Sequence, residues 1–145
     1  MTMREFVFNG LITTPTLTSL GLSESNVFAA QVFDGTTTDP HPELDFFVVY
    51  RISGTTPALA GSRGGGRVRE ATVTLWAYDK QKDFDLRIAP ILKAWEELMD
   101  SYEAEDTGDG YLIAGSYIGQ SDDGWDDVYE RIARSSAYTI VYTGS

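Results

Sequence analysis

Apolar and polar positions alternate most cleanly just past the middle of the chain. Ala71, Val73, Leu75 and Ala77 interleave with Thr72, Thr74, Trp76 and Tyr78, the period of two that marks a strand with one face on a core. That strand is expected over Val68 to Tyr78. After the polar turn Asp79-Lys-Gln-Lys-Asp83, apolar residues recur at Phe84, Ile88, Ile91, Leu92, Trp95, Leu98 and Met99. This single apolar stripe predicts an amphipathic helix from about Phe84 to Asp100. Pro90 falls inside the pattern and lacks the N–H that would bond back to Leu86, which predicts a kink or a late start.

Upstream, Leu44 to Ser53 is rich in β-branched and aromatic residues and reads as a strand buried on both faces. A glycine-rich connection, Gly54 to Gly66, joins it to the next strand, most simply as an antiparallel hairpin. Met3 to Phe8 and Pro15 to Leu22 read as two short helical pieces broken around Gly10 and Pro15. Thr14 is the expected N-cap with Pro15 at the first helical position, and Gly21 is the expected stop. Ser25 to Phe33 holds a short strand, and Asp34 to Glu43 is a loop by composition.

Downstream, Ser101 to Gly110 reads as an acidic turn, Tyr111 to Ile118 as a strand and Gly119 to Asp127 as a loop crowded with aspartates. The last strand, near Tyr129 to Tyr142, alternates Ile132, Arg134, Ser136, Tyr138, Ile140 and Tyr142 against Ala133, Ala137 and Val141. No internal repeat or linker interrupts the chain. The pattern predicts one α+β domain over residues 1–145, a mostly antiparallel sheet of about four to five strands on one long helix, with short N-terminal helices.

At 145 residues the chain can bury a proper core, and 42% hydrophobic with 12% aromatic residues fits a globular fold. The absence of cysteine rules out disulfides and thiolate metal sites and suits a reducing cytoplasm. Met1 to Leu20 lacks the continuous apolar run of a signal peptide. The longest apolar run, Phe46 to Tyr50, is far too short for a membrane span. A soluble protein without a membrane partner is expected.

The net charge of −11 is unevenly spread. Between Ala94 and Glu130 there are twelve acidic residues and no basic one. Arg63, Arg67 and Arg69 make the only dense basic group, around the loop Gly61-Ser-Arg-Gly-Gly-Gly-Arg67. Such a balance argues against general nucleic-acid binding, which needs a basic surface to neutralise phosphates. The acid excess reads as solubility or as the lining of a passage along which another polyanion slides without sticking.

Catalytic readings fail on inventory. His41, the only histidine, stands between Pro40 and Pro42 with no nucleophile motif of the Gly-x-Ser-x-Gly type in the chain. Gly61 and Gly66 have Walker spacing, but Arg67-Val68 occupies the Lys-Ser/Thr positions and a strand follows instead of a helix. The Rossmann pattern fails for the same reason. The acidic runs Asp106-Thr-Gly-Asp109-Gly110 and Asp122-Asp123-Gly124-Trp125-Asp126-Asp127 miss the EF-hand spacing. No catalytic residue, cofactor or metal site is expected. The glycine loop reads as a hairpin tip or as an arm that orders against a partner, its arginines meeting carboxylates there. Trp125 among four aspartates has the character of an interface anchor.

Leu44-Asp-Phe-Phe-Val-Val-Tyr-Arg51, a glycine-containing loop and Glu70-Ala-Thr-Val-Thr-Leu-Trp-Ala-Tyr-Asp79 together resemble the strand pair of bacteriophage tail terminator (tail-completion) proteins. The helix Asp83 to Met99 sits where that family keeps its long helix. The ending, Gly119-Gln-Ser-Asp-Asp-Gly-Trp-Asp-Asp-Val-Tyr-Glu-Arg-Ile-Ala-Arg-Ser-Ser-Ala-Tyr138, is similar to tail terminators of long non-contractile-tailed phages of actinobacteria. So are Met3-Arg-Glu-Phe6 and Leu17 to Leu20. The Gly61 to Arg69 loop departs from the pattern in being longer and richer in glycine.

The resemblance implies a non-catalytic virion subunit, assembled in the host cytoplasm, that forms a homo-oligomeric ring, typically hexameric, at the head-proximal end of the tail. The ring would stop polymerisation of the tail tube protein, dock the head–tail connector and let genomic DNA pass without specific binding. Arg63, Arg67 and Arg69 are then expected to contact a neighbouring subunit or tube ring. Asp122, Asp123, Trp125, Asp126 and Asp127 are expected on an assembly or lumen surface. The alternatives are another connector, neck or tube protein of similar fold, or a soluble ligand-binding α+β domain.

Overall fold

The computed structural model describes residues 3–29, 44–57, 68–80, 86–102, 105–106, 111–121, 124–126 and 131–143. Three helices and seven strands follow the order α1 (Met3–Thr13), α2 (Pro15–Ser19), β1 (Val27–Ala29), β2 (Phe46–Pro57), β3 (Val68–Asp79), α3 (Ile88–Ser101), β4 (Glu105–Asp106), β5 (Tyr111–Gln120), β6 (Gly124–Asp126) and β7 (Arg131–Thr143). All strands join one sheet in the order β1-β2-β3-β7-β5-β4, with β6 on β7 beside β5. Among the described strands only the β1–β2 pair is parallel. The fold is therefore α+β and mostly antiparallel, as the alternation predicts, but the sheet exceeds four to five strands. The additions, β4 of two residues and β6 of three, fall inside the stretches read as an acidic turn and an aspartate loop. Pairings that short leave no periodicity to read.

β2 and β3 pair in continuous antiparallel register from Phe46 opposite Asp79 to Ser53 opposite Thr72. The expected connection from Gly54 begins later, because β2 runs on across a bulge to Pro57. Phe47, Val48, Val49 and Tyr50 are all buried, so the apolar run does cover both faces of the strand. On β3 the alternation holds: Ala71, Val73, Leu75 and Ala77 are buried under the helices.

α3 starts at Ile88 and not at Phe84, and residues 81–85 lie outside the described ones. Pro90 is its third residue, where a missing N–H costs nothing because first-turn donors have no intrahelical acceptor. At 14 residues α3 does not dominate as the expected long helix would; α1 has 11. α1 runs unbroken through Gly10, where a break was expected. A β-carbon there would lie 3.1 Å from the Tyr102 hydroxyl and 3.4 Å from Leu98, so the glycine lets α1 approach α3 closely. The stop at Gly21 stands, with φ +105° and the Phe46 ring 3.0 Å from where a side chain would begin. Thr14 is the N-cap residue of α2, yet its hydroxyl bonds back to the Gly10 carbonyl at 2.6 Å instead of capping α2.

One large core lies between the sheet and all three helices, with Leu11, Leu17, Val48, Leu75, Ile91, Leu92, Trp95, Tyr138 and Ile140 at its centre. The opposite face carries a smaller cluster, Phe47, Val49 and Tyr78, flanked by half-buried Phe28, Leu44, Trp76 and Ala133. Phe47 stacks on Tyr78 at 4.9 Å and meets Phe28 edge-on. Buried Asn26 organises the entry to β1, accepting from the Ser23 N–H and donating to the Gly21 carbonyl, each at 2.9 Å. No described helix is long and apolar enough to cross a membrane.

Candidate assembly surface

Of the residues expected at an interface, the structure places three. Arg69 lies within β3, opposite Tyr142 on one side and Pro57 on the other. It is half-buried, and its Nε is enclosed without a hydrogen-bond partner among the described residues. It is thus a ladder residue at the end of the sheet. Trp125 lies on β6 opposite Ile132 and is 60% exposed. It borders an open groove of about 230 Å³ with Trp76, Tyr78, Ser121, Gly124, Ala133 and Arg134. Asp126 pairs with Arg131 in the β6–β7 register. Arg63, Arg67, Asp122, Asp123 and Asp127 lie outside the described residues, as does His41.

The most organised polar cluster is one that sequence reasoning missed. Glu96 and Asp100 stand one turn apart on α3, above the part of the sheet where β7 meets β5. Glu96 accepts from the Ser136 hydroxyl at 2.8 Å and from the Gln120 amide at 3.0 and 3.1 Å. The Tyr138 hydroxyl donates to Asp100 Oδ1 at 2.9 Å, with the Glu96 carbonyl 3.1 Å away as second acceptor. Tyr138 is buried, packed edge-on against Trp95 at 5.4 Å and Tyr117 at 5.3 Å. Burial first, then the Asp100 carboxylate, raises its pKa well above the ordinary tyrosine value. Withdrawal from water and a hydrogen bond to Glu96 raise that of Tyr117 as well. Both phenols therefore remain neutral donors near neutral pH. The available signal was the four-residue spacing of Glu96 and Asp100, but their partners lie 24, 38 and 40 residues away along the chain.

A second missed anchor joins the start of α3 to the end of β3. Asp79 is fully buried, and Arg87 Nε stands 3.4 Å from its Oδ2 while the guanidinium lies 4.7 Å above the Phe46 ring. The sequence reads Asp79 as the first residue of a polar turn, whereas it closes β3. Arg131, also buried, donates to the Leu44 carbonyl at 2.8 Å and ties β7 to the entry of β2.

The carboxylates of Glu96 and Asp100 are engaged by neutral donors, and no group of three or more possible metal ligands occurs among the described residues. What the region offers is an anionic, hydrogen-bonded surface beside exposed apolar residues. Tyr117 and Ile118 on β5 are 51% and 56% exposed, and Trp125 stands on the adjoining β6. No family model matches the chain, and no curated protein matches it significantly.

Proposed function

We propose that the chain is a tail-terminator subunit. It is a structural virion protein that forms a ring, hexameric in this reading, on the head-proximal end of a phage tail. The ring stops growth of the tube, joins the tail to the head connector and lets DNA pass through its lumen. It acts by assembly alone and catalyses nothing.

The observation that supports this best is where the resembling segments fall. Leu44–Arg51 overlaps the start of β2, Glu70–Asp79 lies within β3, and Gly119–Tyr138 takes in the end of β5, β6 and the first part of β7, strands of one sheet. Each of the three segments therefore contributes paired strand residues to that sheet. The exposed Tyr117, Ile118 and Trp125 supply apolar contact area of the kind subunit interfaces use. The uninterrupted acidic run from Ala94 to Glu130 suits a surface that DNA passes without being retained.

The test is to add the purified protein to tail-tube subunits as they polymerise and to image the products by electron microscopy. A terminator shortens the tubes in proportion to its concentration and leaves a ring at one end only. Spontaneous growth of this protein into long tubes would instead make it a tube subunit. Unchanged tube lengths with no end-bound density would remove the reading altogether.

A further inference from the structure

The sheet has two ends, and they differ in a way that specifies a contact. At one end, among the described residues, β4 pairs with β5 at Tyr111 and Leu112 only. Beyond Leu112 its outer edge carries no strand among the described residues. From Tyr111 to Gln120 this strand contains no charge and no proline, the devices that ordinarily protect an open edge. Bulges at Leu112/Ala114 and Tyr117/Gly119 leave a regular stretch, Ala114–Tyr117, between them. Tyr117 and Ile118, at its end, are more than half exposed. The other end of the sheet is β1, three residues long, Val27–Ala29.

An open edge presents alternate N–H and C=O groups, so its natural occupant is another extended backbone. β1 runs parallel to β2, and three antiparallel steps from β2 through β3 and β7 lead to β5. β5 thus runs opposite to β1. Head-to-tail repetition of the sheet would set β5 of one copy antiparallel to β1 of the next, four regular positions against three. Charge favours that order. Beside β5 stand Glu96, Asp100 and Asp106, and the chain has no cation from Ala94 to Glu130. Beside β1 stand Arg51 on β2 and Arg4 on α1, the latter close enough to bear on the Tyr50 hydroxyl, with Glu5 next to it and Glu24 just before the strand, so this side is mixed in charge where that of β5 is acidic. Pairing β5 with itself would bring two acidic sides together.

We infer that the outer edge of β5 receives β1 of a second copy of this chain, so that the sheet continues from subunit to subunit. This rests on the ring reading and names its closing contact. It is a heterologous contact, as ring closure requires.

Because the chain has no cysteine, the pairing can be trapped directly. Ala29, Gly115 and Tyr117 share the helix-covered face, and a β-carbon at Gly115 meets nothing nearer than 3.9 Å. Ala29→Cys is combined with Gly115→Cys in one full-length variant and with Tyr117→Cys in another, which spans a shift in register. Mild oxidation should give, in one of the two, a ladder of three or more linked copies, while each single-cysteine variant stays unlinked. Linked dimers from Gly115→Cys or Tyr117→Cys alone would mean that β5 pairs with itself and would overturn the inference. No linkage in either double variant, with light scattering still showing rings of the unaltered protein, would overturn the edge contact and leave the ring reading standing. Unaltered protein that associates neither with itself nor with tube ends would remove both.

Discussion

On one face of the sheet α1, α2 and α3 enclose a continuous core from Leu11 and Leu17 through Leu75 and Trp95 to Ile140. On the other, Phe47, Val49 and Tyr78 form a small cluster whose neighbours Phe28, Trp76 and Ala133 remain half-buried. The difference separates two uses of apolar residues. Side chains between sheet and helices have partners on every side and determine stability. On the far face Phe47, Val49 and Tyr78 are buried but their neighbours keep exposed surface, as do residues along β5 and β6, where Trp125 and Ile118 contribute little to the fold of one subunit. The helix-covered face also changes character along its width. It is apolar over most of β2 and β3, with buried Asp79 at the end of β3 the exception, but over β7 and β5 the helix is held by the hydrogen bonds of Glu96 and Asp100.

The largest effect is expected from the enclosed face. Trp95→Ala should cost about 3–5 kcal/mol, the usual range for deleting a buried indole, measured by urea denaturation. A loss under about 1 kcal/mol would mean that the core relaxes around the gap and that the helix-covered face is not the stabilising one. Phe47→Ala is the matching substitution on the far face. It should cost less than Trp95→Ala, no more than about 3 kcal/mol, because the smaller cluster can close over the site. Equal losses would erase the distinction between the faces.

Tyr138→Phe removes one hydroxyl from the polar part of the covered face and should cost about 1 kcal/mol. Its signature is in the pH dependence. The folded state holds the Tyr138 proton more tightly than the unfolded chain does, so its contribution is fully present below the ordinary tyrosine pKa of about 10. It is lost as pH rises beyond that value. The unaltered protein should therefore lose more stability between neutral and strongly alkaline solution than Tyr138→Phe does, as read from denaturation midpoints at the two pH values. Parallel losses would show that the phenol is not coupled to folding.

Trp125→Ala should change stability by less than about 0.5 kcal/mol, since the side chain is mostly in water. If this part of the surface serves assembly, the same variant should lower end-binding to tail tubes severalfold in the microscopy assay. A destabilisation comparable to that of Phe47→Ala would instead make the indole part of the fold.

Local pattern determined much of this architecture. The strands at Phe46 and Val68, the final strand near Tyr142, the helical stripe from Ile88 and the late start imposed by Pro90 all follow from spacings within a single element, where backbone geometry alone links sequence to structure. So does the existence of two N-terminal helices and the turn at Gly21. Tertiary packing decided the rest. It carried α1 through Gly10, because contact with Leu98 and Tyr102 offsets the poor helix propensity of glycine. It drew Asp79 from an apparent turn into a buried position paired with half-buried Arg87, and it gave Glu96 partners far along the chain at Gln120 and Ser136. It also made two- and three-residue strands of Glu105–Asp106 and Gly124–Asp126, which only ladder partners can define. Of the expected interface, Trp125 was legible as an exposed aromatic among acids. The open edge of β5 was not, because an edge is a property of strand order, and strand order is written in contacts between distant segments.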